Sequence, residues 1–279
     1  MCCISVLRQL CFAGPIAGVL LFTFEGLQAQ QLLGDWKVVA APGRGSPELY
    51  ATDLPVWKVH DDGTNIRASH WTRRDREERE VAPLPEHLVR EPLMHGYRTS
   101  LHHADGSWLI GFDGGEFGGG LWSTNDDGSQ TSLVLSREDI HALYHTNDGV
   151  IVLSGVAHAT IDEGKVWFVF DTSWDKAAAR LLCDLHGSPD ASVQDSPSTV
   201  LVVTRSAVLR IGTSGSLETL AHIPVPPPVV TSVVMAADRT IYVGVPGYIL
   251  RLLPEPTGYS VQWLVPAGNA GSGKPGSSQ

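Results

Sequence analysis

The sequence predicts an all-β protein, a β-propeller of five to six blades in which each blade is a short antiparallel sheet. Two observations lead to this prediction. Short apolar runs rich in β-branched residues alternate with Asp-Gly and Asn-Gly pairs, which supply the positive φ angles that tight hairpins require. Similar strand–turn–strand units also recur at intervals of about 40 to 50 residues, which is the period of propeller blades.

The apolar runs mark the strands in order along the chain. They are VWKVH at 56–60, SWLIGF at 107–112, GVIVLSG at 149–155, KVWFVF at 165–170, TVLVVT at 199–204, AVLRIG at 207–212, TIYVGV at 240–245 and YILRLL at 248–253. Turn signals such as Asp61-Asp62-Gly63 and Asn147-Asp148-Gly149 separate these runs. One short helix is predicted at 174–182, where the segment WDKAAARLL connects two strands.

Four of the repeated units match one another, and we expect each to open with the innermost strand of a blade. Their first strands begin at Trp108, Ile151, Val200 and Ile241. A further unit near Val56 adds a fifth blade. The segment WKVVA at 36–40 is predicted to supply the strand that closes the ring.

The first 29 residues have the features of a secretory signal peptide. Arg8 precedes an apolar stretch at 10–24, and Leu27-Gln28-Ala29 fits a small-residue cleavage rule. The apolar stretch is shorter than the about 20 residues of a membrane-spanning helix, and an uncleaved anchor is the alternative. The sequence therefore predicts a secreted or periplasmic protein with no membrane insertion after signal cleavage.

Residues 30–266 are predicted to form the propeller. Residues 267–279 are rich in Gly and Ser, and this composition predicts a disordered tail. The net charge of −10 excludes a protein that binds nucleic acid or an anionic membrane surface through a basic face. Signal cleavage removes every cysteine except Cys183, so no intramolecular disulfide is expected. Cys183 lies among apolar neighbours and is predicted to be an inert buried thiol.

The segment GFDGGEFGGGLWSTNDDG at 111–128 is unusually rich in glycine. We expect Gly118, Gly119 and Gly120 to form the bend between an innermost strand and the second strand, where backbones approach closely. Trp122 is predicted to be a core aromatic between sheets. A phosphate-binding loop is excluded because the lysine and the Ser or Thr of a P-loop are missing and no helix follows.

Polar residues within and beyond this segment are the candidate ligand-binding residues. Glu116 and Asp113 are expected at the mouth of the channel, where propellers usually bind ligands, and His158 is expected to join them. For Glu116 the alternative is a purely structural hydrogen bond or ion pair. Such an Asp, Glu and His set would also suit a divalent cation, although no cofactor is required by the sequence. The His102-His103 pair would point to opposite faces of a strand and does not suit one ion.

Three segments together resemble a group of uncharacterised bacterial secreted β-propeller-like proteins. They are GGEFGGGLW, which carries the specific motif GE(F/W)GGGLW, then GVIVLSG with EGKVW, and DRTIYVGVPGYILRL. The segment STNDDGSQT at 123–131 is also similar to the Asp box of sialidase-type propellers. Thr124, Asp126 and Gly128 fit that motif, whereas Thr131 stands in place of its tryptophan. The Asp box stabilises a hairpin, so the resemblance implies a fold and no reaction.

These observations favour a binding or scaffold module whose partner is an envelope protein or a small ligand. The alternative is a metal-dependent hydrolase or lyase with its site at the channel mouth. Serine hydrolase chemistry is disfavoured because the chain has no GxSxG motif. The proline-rich segment HIPVPPPVV at 222–230 is either a docking segment or an ordinary connection between blades.

Overall fold

The computed structural model describes residues 36–51, 53–72, 84–88, 97–158, 160–171 and 173–267. The predicted signal peptide and the predicted tail beyond residue 267 lie outside these ranges. The described chain consists mainly of strands and turns, with one short α-helix, α1 (Pro47–Tyr50), and two 3₁₀ turns, Glu86–Leu88 and Gly115–Phe117. The fold is therefore all-β, as the sequence predicts.

Five antiparallel sheets follow one another along the described ranges of the chain, and each is one blade. The chain enters through β1 (Trp36–Val39), which belongs to the last sheet. Blade 1 contains β2 (Trp57–Asp61) and β3 (Ile66–His70). Blade 2 contains β4 (Tyr97–His102), β5 (Trp108–Asp113), β6 (Gly120–Thr124) and β7 (Thr131–Ser136). Blade 3 contains β8 (Ile140–His145), β9 (Val150–His158), β10 (Ile161–Phe170) and β11 (Ala178–Leu185).

The last two blades complete the ring. Blade 4 contains β12 (Ala191–Ser196), β13 (Thr199–Val203), β14 (Ala207–Gly212) and β15 (Leu217–His222). Blade 5 contains β16 (Ser232–Met235), β17 (Ile241–Val245), β18 (Tyr248–Glu255) and β19 (Gly258–Pro266), with β1 added beside β19. Apart from β1, strand order follows chain order within every blade, so each blade is an up-and-down meander.

The first strand of each blade lies next to first strands of neighbouring blades. Strand β4 lies beside β8, β12 beside β16, and β16 beside β2. At the outer edge of blade 5, Trp36 pairs with Pro266 and Val39 pairs with Trp263. Because this pairing joins the two ends of the described chain, it closes the ring. The described part of the chain forms a five-bladed β-propeller, and the predicted closing strand at 36–40 is confirmed.

The predicted repeat has the right period, but its starting strand is wrong. Trp108, Ile151, Val200 and Ile241 lie in β5, β9, β13 and β17, and each of these is the second strand of its blade rather than the innermost. Second strands are covered on both faces by the adjacent blades, and therefore carry the most continuous apolar runs. The innermost strand β12, with the sequence ASVQDS, is only partly buried and gives a weaker signal.

The helix predicted at 174–182 is also wrong. Residues 178–185 form β11, which pairs with β10 from Phe170 opposite Ala178 to Gly164 opposite Leu185. Alanine has a high helix propensity, but propensity is a weak preference that tertiary contacts override, and the free edge of β10 supplies hydrogen-bond partners for residues 178–185. Cys183 lies on this strand as a half-buried free thiol, and burial raises the pKa of that thiol.

Apolar side chains fill the spaces between blades, and the largest cluster lies between blades 4 and 5. Leu201, Val203, Val243 and Leu250 are fully buried there. The proline-rich segment 222–230 connects β15 to β16 and contributes buried valines and an isoleucine to the same cluster. Within the described chain this segment is thus a connection between blades, and its role in docking stays a prediction.

One buried carboxylate also ties blade 4 to blade 5. Asp195 of β12 has a side chain that is only 5% exposed. Its carboxylate oxygens lie 2.9 Å from Nε of Arg210 in the same blade and 2.8 Å from Nη1 of Arg239, in the turn between β16 and β17. Two guanidinium groups therefore compensate one buried charge, which is the arrangement that a buried carboxylate requires.

Candidate functional site

A cavity of about 240 Å³ lies where the innermost strands begin. Its wall includes Tyr97 at the start of β4, Ile140 at the start of β8, Asp190 just before β12 and Thr231 just before β16. Residues at the starts of four innermost strands lie at the same end of the ring. The cavity is therefore one mouth of the central channel, and we refer to it as the mouth cavity.

Asp113 is a predicted site residue that the structure places in the wall of the mouth cavity. It is the last residue of β5, and its Oδ1 accepts a hydrogen bond of 3.0 Å from the backbone N–H of Gly115. Its Oδ2 lies 3.8 Å from Nε2 of His141. The Asp113 side chain is 22% exposed, so the carboxylate faces the cavity while its loop holds it in place.

His141 reaches the cavity because β8 is irregular at this point. Ile140 pairs with Ser154 and Ala142 pairs with Leu153, so His141 is the extra residue of a β-bulge. Such a bulge redirects the side chain that it contains. The imidazole Nε2 lies 2.8 Å from the carbonyl oxygen of Gly155, which accepts the hydrogen bond and orients the ring.

Two further charged residues line the mouth cavity. Arg98 lies on β4 between Tyr97 and Thr99, and its Nη1 is buried without a hydrogen-bond acceptor among the described residues. The Oδ2 atom of Asp190 lies 3.4 Å from Nε of Arg205, which comes from the turn between β13 and β14. The remaining wall is largely apolar and includes the aromatic ring of Trp71.

Asp139 lies directly behind the cavity wall and is 7% exposed. Its Oδ1 accepts a hydrogen bond of 3.0 Å from the backbone N–H of Gly114. Burial raises the pKa of Asp139 to about 6, the hydrogen bond from Gly114 opposes that rise, and the charges of Asp113 and Glu138 add to it. Lys165 and Ser154 bind the neighbouring Glu138 carboxylate at 2.6 and 2.8 Å.

The glycine-rich segment joins the second and third strands of blade 2, not the innermost and second strands as predicted. Gly118 has a φ of 77°, which favours glycine. A Cβ atom on Gly119 would overlap the carbonyl oxygens of Phe112 and Glu138. Gly120 begins β6, and Trp122 is half-buried beside the small core cluster that holds Phe112. Close approach of backbones therefore explains the glycines, although at a different bend.

The two other predicted site residues are His158 and Glu116. His158 is exposed at the end of β9 and is not part of the cavity wall. Glu116 lies in the 3₁₀ turn at 115–117, and its side chain is outside the described part of the structure. Among the described residues, no group of three or more His, Cys, Asp and Glu side chains could hold a metal ion. The histidine beside Asp113 is His141.

A second group of histidines lies at the opposite end of β8. The His103 ring is 6% exposed and packs edge-on against His145, with ring centroids 4.8 Å apart. The His102 ring stacks on Trp108. Burial and the nearby charges of His145 and His102 lower the pKa of His103 to about 4, against a smaller opposing effect of Asp105. This group therefore holds a neutral buried imidazole at pH 7.

Comparison with known proteins gives no family for this chain. No family model matches the sequence, and no curated protein matches it. None of the helices in the described ranges is long and apolar enough to cross a membrane.

Three solved structures of similar fold are distant in sequence from this chain. A gluconolactonase from Xanthomonas campestris has 13% identity and a TM-score of 0.36, over 60% of this chain and 55% of that chain. Virginiamycin B lyase from Staphylococcus aureus has 10% identity and a TM-score of 0.40, over 81% and 73%. The extracellular domain of a hybrid two-component system from B. thetaiotaomicron has 10% identity and a TM-score of 0.41, over 82% and 26%. This chain thus spans about half the length of the gluconolactonase. At this distance the similarities assign neither an activity nor a ligand.

Proposed function

We propose that this protein is a secreted or periplasmic binding module that holds a small ligand in the mouth cavity of its propeller. One observation carries the proposal: charged and polar side chains from separate blades meet around a single cavity. Arg98 and Asp113 come from blade 2, His141 from blade 3 and Asp190 from the start of blade 4. Convergent polar groups in an otherwise apolar cavity are typical of ligand sites.

The hydrogen bonds and the ion pair that hold these side chains favour a site that is ordered before the ligand binds. Asp113 is held by the N–H of Gly115, His141 by the carbonyl oxygen of Gly155, and Asp190 by Arg205. Preorganised side chains lose little conformational entropy on binding, which benefits affinity. The cavity volume of about 240 Å³ suits a ligand of small-metabolite size better than a polymer.

The test is a screen of small metabolites by amide chemical-shift mapping, with affinities from calorimetry. We expect hits to perturb the resonances of residues 97–99 and 140–141. Asp113→Asn should change the affinity of those hits by about tenfold, with weaker binding of a ligand that Asp113 binds and tighter binding of an anion that Asp113 repels. Asp175→Asn removes an exposed carboxylate from the turn between β10 and β11, at the other end of the ring, and should leave them unchanged. If hits map elsewhere or none perturbs the mouth, the proposal is wrong.

A metal-dependent hydrolase or lyase at the same mouth is the second candidate. The contact between Asp113 and His141 favours it, because a carboxylate beside an imidazole suits either acid–base chemistry or part of a metal site. The test is metal content and melting temperature with and without EDTA. A stoichiometric divalent cation whose removal lowers the melting temperature of wild type, but not of Asp113→Asn, supports this candidate. A metal-free protein that is indifferent to EDTA rules it out.

A further inference from the structure

We infer that the mouth cavity selects an organic carboxylate, a singly charged anion on a small apolar or aromatic body. This inference rests on the proposed function, because it names the ligand class of the same cavity. It starts from Arg98, whose Nη1 is buried in the cavity wall and meets no acceptor among the described residues. A buried guanidinium N–H without an acceptor is unfavourable, and a ligand oxygen removes that cost.

The other charged groups of the wall already face described partners. Asp113 lies 3.8 Å from His141 Nε2, and Asp190 lies 3.4 Å from Arg205 Nε. Arg98 is therefore the cavity cation that remains for a ligand within the described wall. The planar guanidinium matches the two oxygens of a carboxylate, which accept two parallel hydrogen bonds from it.

The charge around the cavity favours a singly charged anion over a phosphate. Asp113 and Asp190 both lie in the wall, and the buried Asp139 carboxylate lies behind it. A doubly charged group would be repelled by these carboxylates, since Coulomb interactions are strong where water is excluded. A neutral ligand, in turn, would leave Arg98 without a charged partner.

The apolar part of the wall defines the body of the ligand. Trp71, Tyr97, Ile140, Val229 and Val230 surround the polar groups. A cavity of about 150 Å³ is large enough to bind benzene, so about 240 Å³ accommodates a phenyl ring with a short acid side chain. Aromatic side chains in the wall favour a flat ring, which stacks or packs edge-on against them.

The experiment compares three probes of one shape: phenylacetate, phenylacetamide and phenyl phosphate. The protein is expressed from residue 30, which retains every described residue, and affinities come from calorimetry with chemical-shift mapping of residues 97–99. We expect phenylacetate to bind at least about tenfold more tightly than phenylacetamide, since a charge-assisted hydrogen bond is worth that much. Phenyl phosphate should bind more weakly than phenylacetate.

Two variants connect this preference to Arg98. Arg98→Gln should bring the affinities for phenylacetate and phenylacetamide within about twofold of each other. Arg67→Gln removes the same charge from an exposed position near the β2–β3 turn, at the other end of the ring, and should preserve the full preference. Circular dichroism and melting temperature verify that both variants fold. If Arg98→Gln does not fold, the relative affinities of wild type for the three probes decide whether the carboxylate inference holds.

The outcomes separate this inference from the proposed function. Equal affinities for phenylacetate and phenylacetamide, with the mouth resonances perturbed, overturn the carboxylate inference and leave the mouth as a binding site. The carboxylate inference is also overturned if Arg98→Gln prefers phenylacetate over phenylacetamide as strongly as wild type does, because another cation would then bind the anion. If none of the probes perturbs the mouth, the inference fails, and the wider metabolite screen decides the proposed function.

Discussion

Acidification from pH 7 to pH 4 should weaken the fold at the end of β8 that is remote from the mouth cavity. His103 is 6% exposed there, and its Nε2 meets no hydrogen-bond partner among the described residues. The neighbouring His145 also lowers the pKa of His103, after the larger effect of burial. Protonation of His103 therefore places in a buried position a charge that Asp105 compensates only in part, and this disfavours the folded state.

The magnitude follows from the difference between folded and unfolded pKa values. The folded pKa of His103 is about 4, against 6.5 for an ordinary histidine. The unfolded chain therefore binds the proton more readily, and stability is fully present above pH 6.5 and is lost as the pH falls to about 4. The loss is about 3 kcal/mol, at about 1.4 kcal/mol for each pKa unit.

Asp139 changes the stability of the fold in the opposite direction to His103 over almost the same pH range. Measurements on wild type alone therefore cannot reveal the effect of His103. Its folded pKa of about 6 exceeds the ordinary value of 3.8. Ionisation of Asp139 therefore costs stability as the pH rises through this range, and acidification restores about 3 kcal/mol. The two effects nearly cancel between pH 6 and pH 4.

The assay is urea unfolding monitored by tryptophan fluorescence at pH 7, 6, 5 and 4, on wild type and His103→Leu. Leucine has a similar size and does not titrate. The free energy of unfolding of wild type relative to the variant should fall by about 3 kcal/mol between pH 7 and pH 4. Two curves that stay parallel to within about 0.5 kcal/mol would refute the reasoning, since this is the scatter expected of a neutral substitution.

Three further substitutions test other parts of the structure. Asp139→Asn keeps an acceptor for the glycine loop but removes the buried charge, so its melting temperature should exceed that of wild type at pH 8 and lose this advantage by pH 4. Gly119→Ala should cost more than about 2 kcal/mol in urea unfolding, because its Cβ overlaps two backbone carbonyl oxygens. Gly43→Ala, with open space around it, is its control and should change stability by less than about 1 kcal/mol. Asp195→Ala leaves two arginines without their shared partner and should cost about 3 kcal/mol, and a cost below about 1 kcal/mol would show that this ion-pair network is dispensable.

The sequence predicts the propeller well because its local signals agree with its global repeat. Hairpin turns and apolar runs identify strands one by one, and the common period identifies blades. The starting strand of the repeat could not be predicted in the same way. Apolar content marks the most covered strand, and in this chain that is the second strand of each blade, such as 199–203, rather than the innermost. The helix prediction for 174–182 was wrong for a related reason. Hydrogen bonding to the free edge of β10 outweighed the helix preference of the alanines.

The site was only partly predictable, and the reason is topological. Asp113 stood out because a carboxylate in a glycine-rich segment is conspicuous in the sequence. Arg98, His141 and Asp190 are each unremarkable locally, and they meet only because four innermost strands begin at the same end of the ring. For His141 the deciding feature is a bulge that no sequence motif announces. His158, the predicted partner of Asp113, belongs to a second strand and ends outside the cavity wall.

The glycine-rich segment connects the stability of the fold to the geometry of the candidate site. Gly119 must pass against the carbonyl oxygens of Phe112 and Glu138, and this close passage allows the N–H of Gly114 to reach the buried carboxylate of Asp139. The same loop then orients Asp113 through the N–H of Gly115. A larger side chain in this loop would displace both hydrogen bonds together. The glycines are therefore structural residues whose effect is to fix one charged wall of the mouth cavity.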